Sequence, residues 1–265
     1  MPFVESVGEA TIDGLAYVGG LARLTVDAAG AIFTDPGRVR KLRWHRAVHQ
    51  ARSVGVEALP IVSLISFFVG LILALQGAYE LRKLGALQLV ASAVAISMIR
   101  ELGPLMTAIV VIGRSGSAFA AEIGTMKVNE EIDALETMAM EPVRYLVAPK
   151  FVAMLVMVPC LTTWADLMGV VGGGLFGVTN AGFTWGTYFQ ATLDALDVRD
   201  LMTGLVKSVM FAIVITAVGC QEGFSTGLGS EEVGRSTTSA VVKSIFLVIL
   251  VDLVFTAIFY FTAPK

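Results

Sequence analysis

Long apolar runs dominate the chain and are separated by shorter polar segments. Five of these runs are each long enough to cross the hydrocarbon core of a bilayer, which takes about 20 residues as a helix. They cover residues 58–78, 87–113, 151–178, 201–221 and 241–262. Backbone polar groups in lipid must be satisfied within the segment, so runs of these lengths cross as helices. The pattern therefore predicts an all-α membrane protein with five transmembrane helices.

The first 52 residues have a different pattern and are predicted not to cross the membrane. Glu5, Glu9 and Asp13 are spaced by four and fall on one face of a helix, while apolar residues supply the rest of its surface. This predicts a helix lying in the membrane interface over residues 1–34. The basic stretch RVRKLRWHR at 38–46 matches an anionic inner leaflet, and equally the ordinary flank of a first span. We divide the chain into an interfacial helix with a basic cytoplasmic flank (1–52) and a five-span domain (53–265).

The distribution of Lys and Arg predicts the orientation of the spans. With the N-terminus in the cytoplasm, the inside segments carry thirteen of these residues and the outside half carries five, with Arg100 left inside the membrane. Short cytoplasmic loops carry the excess of positive charge in membrane proteins. We therefore expect the N-terminus inside and the C-terminus outside.

Four ionisable residues inside the predicted spans carry the main functional signal: Arg100, Glu101, Lys207 and Asp252. At about 1.5 Å per residue, Arg100 and Asp252 lie near the middle of the bilayer. Charges inside the membrane are costly unless paired or facing water, so we expect the four to form one cluster. The cluster either lines a cavity for an amphiphile or an ion, or is an ion-pair set that only holds helices together. Pro104 removes a helix hydrogen bond and is expected to loosen the turn beside the charges.

Small residues are concentrated in two stretches of the spans. These are GRSGSAFAAEIG at 113–124 and GVVGGG at 169–174. Small side chains let membrane helices approach closely, so both stretches are interpreted first as packing surfaces.

The composition supports a membrane protein and argues against an enzyme. The chain is 55% hydrophobic and 15% charged, against about 25% charged in soluble domains. A net charge of -3 without a basic soluble region gives no indication of a nucleic-acid partner. Both cysteines lie in apolar runs, and no ATP-binding or zinc-protease motif is present, so we expect no cofactor and no metal. His45 and His49 lack the companion ligands of a zinc site.

A polar segment between the second and third runs predicts a short amphipathic helix over about 129–141 on the cytoplasmic side. Asn129 is a suitable N-cap, acidic residues fill the first turn, and Ile132, Leu135 and Met138 or Ala139 share a face. The helix either lies on the membrane surface or docks a soluble partner. The candidate docking residues are Asn129, Glu130, Glu131, Asp133, Leu135, Glu136 and Met138.

Three segments resemble signatures of the MlaE/YrbE-type permeases. The longest begins IRELGP and covers residues 99–151, a second is EEVGRSTTSAVV at 231–242, and a third is GLILALQG at 70–77. The likeness extends over about residues 45–262.

The resemblance implies the permease subunit of an ABC transporter in the bacterial inner membrane, moving phospholipid between the inner and outer membranes. It implies a dimer of two copies, a separate ATPase that uses the ATP, an MCE-domain partner on the outer side and a small STAS-domain protein. By position, the segment at 129–140 corresponds to the helix that sits on the ATPase. Arg100, Glu101, Lys207 and Asp252 fall near the family's lipid cavity.

Two other classes of function remain open on the residues alone. Intramembrane charges also suit a proton-coupled secondary transporter, although five spans do not divide into two repeats. A membrane scaffold that anchors an MCE ring is the third possibility.

Overall fold

The computed structural model describes residues 2–34 and 37–262, except for the side chains of residues 2–10, 13, 33, 34 and 37–43. Within these residues every regular element is a helix. The α-helices are α1 (Pro2–Thr34), α2 (Gly37–Val54), α3 (Leu59–Lys83), α4 (Val90–Ser97), α5 (Gly103–Val111), α6 (Ser117–Val128), α7 (Glu131–Thr137), α8 (Ala148–Asn180), α9 (Trp185–Ala195), α10 (Val198–Phe224) and α11 (Ser230–Thr262). The all-α prediction is confirmed.

Six helical segments of the described chain are long and apolar enough to cross a membrane. Five of them contain the five predicted spans: Trp44–Lys83, Leu87–Val128, Val143–Asn180, Val198–Phe224 and Ser230–Thr262. The sixth is Gly14–Ile32 in α1, which the sequence placed in the interface. The chain is therefore a multi-pass membrane protein.

The contacts of α1 lie at one end of the bundle. The ring of Tyr17 lies under Lys243, with Nζ 4.5 Å from the ring centroid, and Gly20 approaches the side chain of Gln221. A second contact is with the segment Val143–Val147 that leads into α8. A helix lying across the end of a bundle makes such contacts, and the interfacial placement stays a prediction. The predicted acidic face (Glu5, Glu9, Asp13) and most of the basic stretch lie outside the described side chains.

The second predicted span is part of one continuous helical rod from Leu87 to Val128. Two π-helical segments, Met98–Leu102 and Ile112–Gly116, join α4, α5 and α6 within it. Pro104 lies in the first turn of α5, directly after the first π-helical segment. Because a proline lacks the N–H that a continuous α-helix would use, the wider turn accommodates it there.

The connecting elements define the two ends of the bundle. We call the end that carries α7 (between α6 and α8) the α7 end, and the end that carries α9 (between α8 and α10) the α9 end. Helix α9 was not predicted. Its N-cap is Thr184, whose side chain and that of Thr187 form a reciprocal cap.

Glycines allow α3 and α8 to pack with their backbones in contact. A Cβ on Gly70 would lie 1.9 Å from the carbonyl oxygen of Gly169, and one on Gly172 would lie 2.0 Å from that of Phe67. Other glycines of α8, at 173, 174 and 177, make room for the ring of Tyr188 in α9. Burial raises the pKa of the Tyr188 hydroxyl to about 12. The interpretation of the stretch at 169–174 as a packing surface is confirmed.

The other small-residue stretch packs against α10. Gly116 contacts Ile215, and a Cβ on Gly219 of α10 would lie 2.8 Å from the carbonyl oxygen of Gly116. Gly124 contacts Thr226, beyond the end of α10. This stretch is therefore also a packing surface.

Candidate functional site

Lys207 is the centre of an ion cluster near the α9 end. Its side chain is fully buried, and Nζ lies 2.5 Å from Glu101 Oε2 and 2.9 Å from Asp252 Oδ1. Nζ also donates to Thr256 Oγ1 at 2.8 Å, and the Thr256 hydroxyl donates to Glu101 Oε1 at 3.1 Å. Three helical units thus meet at one ammonium group: the rod 87–128, α10 and α11. The predicted cluster is confirmed for Glu101, Lys207 and Asp252.

Arg100 does not join this cluster, and the prediction of one common set of four is wrong in this respect. Its Nε donates instead to Asp200 Oδ1 at 2.5 Å. The Arg100 side chain is 49% exposed and that of Asp200 is 6% exposed. Asp200 lies in the first turn of α10, two turns before Lys207. Arg100 therefore lies level with the start of α10, closer to the α9 end than Lys207.

The π-helical segment Met98–Leu102 carries both members of the charged pair. Arg100 and Glu101 are consecutive, so their side chains leave the rod in different directions, one to Asp200 and the other to Lys207. Gly103 follows this segment, and a Cβ there would lie 1.7 Å from Asp166 Oδ1 of α8. Asp166 is buried and occupies the space that Gly103 leaves. This packing holds the wide turn against α8.

A pocket of about 210 Å³ opens beside the two ion pairs. Its walls come from the rod, α10 and α11, and combine charged, hydroxyl and aromatic side chains. They are Arg100, Glu101, Arg199, Thr203, Thr256, Phe259 and Tyr260. Two guanidinium groups next to two hydroxyls can hold an anionic group, because guanidinium groups pair with phosphate through two parallel hydrogen bonds. The aromatic side chains extend the pocket toward apolar surface.

Lys207 and Asp252 lie behind this pocket and do not line it. Lys207 has no exposed surface, so a direct contact with a ligand requires the cluster to open. A direct contact between Lys207 and a head group stays a prediction; in this structure Lys207 holds Glu101 and Thr256. Arg100 and Glu101 do face the pocket, as the sequence hypothesis expected.

Several residues of the site were missed in the sequence. Asp200 caps the start of α10, because its Oδ2 accepts a hydrogen bond from the Asp197 N–H at 3.1 Å. A carboxylate at this position is therefore expected in any helix and gives no indication of a pocket. Thr256 is hidden in an apolar run. Arg199 and Thr203 were recognisable only as polar positions near the start of a span. Asp166, which packs against Gly103, is the one of these residues that stands out in the sequence, because it interrupts the third apolar run.

The amphipathic helix at the α7 end is shorter than predicted. Helix α7 covers Glu131–Thr137, and Glu130, with φ 60°, holds the position before it. Asn129 therefore does not cap this helix, contrary to the prediction. Its side-chain amide donates to Glu131 Oε1 at 3.4 Å instead.

The predicted apolar face of α7 is present in part. Ile132 and Leu135 are buried in the core cluster, but Met138 is exposed. The helix ends before Met138 because Ala139 adopts a left-handed backbone with φ 56°. The acidic side chains Glu130, Glu131, Asp133 and Glu136 are exposed at this end of the bundle. The helix is thus anchored by two apolar residues and presents negative charge outward.

Comparisons with known proteins identify the family of the chain. The model of the family Permease MlaE matches residues 47–258. A Haemophilus influenzae protein, the intermembrane phospholipid transport system permease protein MlaE, is 34% identical to this chain, and the alignment covers 97% of each protein. A probable ABC transporter permease protein of Rickettsia bellii is 36% identical over 96% of both chains. The Arabidopsis thaliana chloroplastic protein TRIGALACTOSYLDIACYLGLYCEROL 1 is 34% identical over 83% of this chain and 63% of its own length. The chain belongs to the MlaE permease family.

Proposed function

We propose that this chain is the membrane subunit of an ABC transporter that moves phospholipid between the inner and outer membranes of a bacterium. Membership of the MlaE permease family and the name of the Haemophilus influenzae relative, an intermembrane phospholipid transport permease, support the substrate class. The observation that carries the proposal is the polar pocket beside Arg100, which sits between transmembrane helices at the α9 end. In this proposal the α9 end faces the periplasm and the N-terminus lies in the cytoplasm.

The pocket recognises the phosphate of the lipid through its two arginines. Arg199 and Arg100 supply the positive charge, and the hydroxyls of Thr203 and Thr256 supply further hydrogen bonds. Phe259 and Tyr260 guide the acyl chains toward the apolar surface of α11, where Ile258 and Phe261 are exposed. Lys207 holds the Glu101 carboxylate in an ion pair, so that Glu101 does not pair with the two arginines and neutralise them.

The energy comes from a partner ATPase, which docks at the α7 end. The exposed acidic side chains of α7 provide the contact, and the buried pair Ile132 and Leu135 transmits movement into the core. A second copy of the chain completes the transport path. An MCE-domain protein receives or delivers lipid at the α9 end, and a STAS-domain protein joins the ATPase. The chain itself carries out no chemical step and needs no cofactor of its own.

Reconstitution of the chain with its co-expressed ATPase in vesicles tests the proposal. Arg199→Gln removes a pocket cation that is not needed for the Asp200 pair, and it should reduce ATP-dependent transfer of a fluorescent phospholipid by about tenfold. Arg235→Gln, at the opposite end and 81% exposed, is the matched control and should transfer normally. Equal transfer by both variants would remove the pocket from the mechanism, and transfer without ATP would favour a secondary transporter.

A further inference from the structure

A second cavity, of about 400 Å³, lies at the α7 end between α2, α6 and the start of α8. Its polar lining is mostly basic: His45, Arg46, His49, Gln50, Glu122 and Lys150. A neighbouring cavity of about 260 Å³ shares His49, Gln50 and Glu122 with it. Glu122 and Glu101 are 21 positions apart on one rod, which separates this cavity from the first pocket by about 30 Å.

The two cations of this cavity are held in place by contacts on its walls. Lys150 is 1% exposed, and its Nζ lies 2.5 Å from Glu122 Oε2. Arg46 stacks on the ring of Tyr145, with Cζ 3.5 Å from the centroid, and donates to the carbonyl and the hydroxyl of that residue. Stacking fixes the plane of the guanidinium group without neutralising it. Both cations are therefore preorganised for an anion.

The charge of the cavity is positive. Among its lining residues, Glu122 is the one carboxylate, and it pairs with Lys150. In the neighbouring cavity Arg114 pairs with Glu57 and so adds no net charge. A buried ammonium group paired with a single, partly exposed carboxylate gains from a further acceptor. An anion in the cavity would supply it.

The surface beside the cavity is suited to lipid. Trp44 and Val48 lie four residues apart on α2, next to the lining positions, and are 64% and 54% exposed. Tryptophan is enriched where a membrane meets water, and an exposed apolar pair on a basic helix is typical of a helix at that boundary. A free phosphate ion would make no use of this apolar surface.

We propose that this cavity binds the phosphate of an anionic phospholipid in the leaflet at the α7 end. The head group lies against Arg46, the nearly buried Lys150 attracts it from the cavity wall, and the acyl chains lie along Trp44 and Val48. Basic pockets between helices on this side of a membrane have the charge needed to hold anionic head groups. The site is separate from the transport pocket and would retain its lipid when that pocket is changed.

Photo-crosslinking resolves the two sites. The full-length chain is placed in phosphatidylcholine vesicles containing a trace of a photoactivatable phosphatidylglycerol, and labelled peptides are identified by mass spectrometry. We expect labelling within residues 44–50 and 145–150. Arg46→Gln should reduce this labelling about tenfold, as should Gln50→Glu, which adds a negative charge without removing a wall contact. Arg235→Gln, an exposed arginine at the same end, should leave it unchanged.

Three results would overturn the proposal. One is equal labelling of these peptides in Arg46→Gln, Gln50→Glu and Arg235→Gln. Another is equal labelling by a photoactivatable phosphatidylcholine, which would show that the negative head group is not recognised. The third is full competition by inorganic phosphate at low concentration, which would assign the cavity to a free anion. Arg199→Gln, which changes only the pocket at the α9 end, should not alter the labelling.

Discussion

Arg100 and Asp200 join the rod 87–128 to the first turn of α10. Arg100 Nε lies 2.5 Å from Asp200 Oδ1, while Oδ2 of the same carboxylate accepts from the N–H of Asp197 at 3.1 Å. One side chain therefore caps a helix and pairs with a pocket cation. The Asp200 carboxylate therefore couples the capping of α10 to the position of the Arg100 side chain.

A double-mutant cycle on Arg100→Gln and Asp200→Asn should give a coupling energy of about 1 kcal/mol. We expect a modest value because the Arg100 side chain is half exposed and water screens the pair. The measurement is the free energy of unfolding in mixed detergent micelles. Lys83 and Glu80, an exposed pair on α3, are the control and should show no measurable coupling. An equal value for the two pairs would contradict a specific role for Asp200.

Lys207→Met should destabilise the protein by about 2 kcal/mol, because Glu101 and Asp252 lose their shared cation. The value lies below that for a fully buried pair because Glu101 is partly exposed. Adding Glu101→Gln to Lys207→Met should recover part of the loss by removing one unpaired charge. Thermal unfolding of the purified chain measures both effects. Lys83→Met is the control, and a shift as large as that of Lys207→Met would show that the ion cluster contributes little.

Gly70→Ala should destabilise the protein by about 1–3 kcal/mol, because the new methyl group would meet the Gly169 carbonyl at 1.9 Å. Gly77→Ala is a matched control on the same helix, since no atom lies within 4 Å of its Cβ position. That change should be neutral or stabilise by up to about 1 kcal/mol, as alanine is the better helix former. Similar unfolding temperatures for the two variants would mean that α3 and α8 are not in close contact.

Replacing Glu131 and Asp133 by Lys should release the ATPase when the complex is purified through a tag on the permease. The side chains are exposed at the α7 end, so reversing their charge changes the docking surface without disturbing the core. Glu80→Lys, an exposed change on α3, should leave the ATPase bound. A complex that survives the double change would place the docking contact elsewhere.

The spans and part of the ion cluster could be predicted because both signals are local. An apolar run of sufficient length indicates a transmembrane helix, and a charge within such a run must be paired or face water. The pairing of Arg100 with Asp200 could not be predicted, because a carboxylate at a helix start already has a favourable place at the cap and dipole. Thr256 was missed because a threonine costs little in an apolar helix and gives no signal without its partners.

The elements at the two ends were harder to predict than the spans. Helix α9 has 11 residues, too few for a span, and its reciprocal threonine cap lacks the acidic residue of the usual motif. Helix α7 was found, but its bounds were too wide. Its bounds are set by Glu130 and Ala139, which adopt left-handed backbone conformations. Because neither residue is a glycine, the sequence does not indicate a turn at these positions.

The glycine contacts between α3 and α8 restrict how a transport cycle can proceed. With two backbones touching at Gly70–Gly169 and Phe67–Gly172, neither helix can tilt or slide without a steric clash. We expect the pair to act as a rigid wall throughout ATP turnover. In the proposed cycle the access change would then come from α11, whose polar contacts with Lys207 and Glu101 can exchange partners with an incoming phosphate.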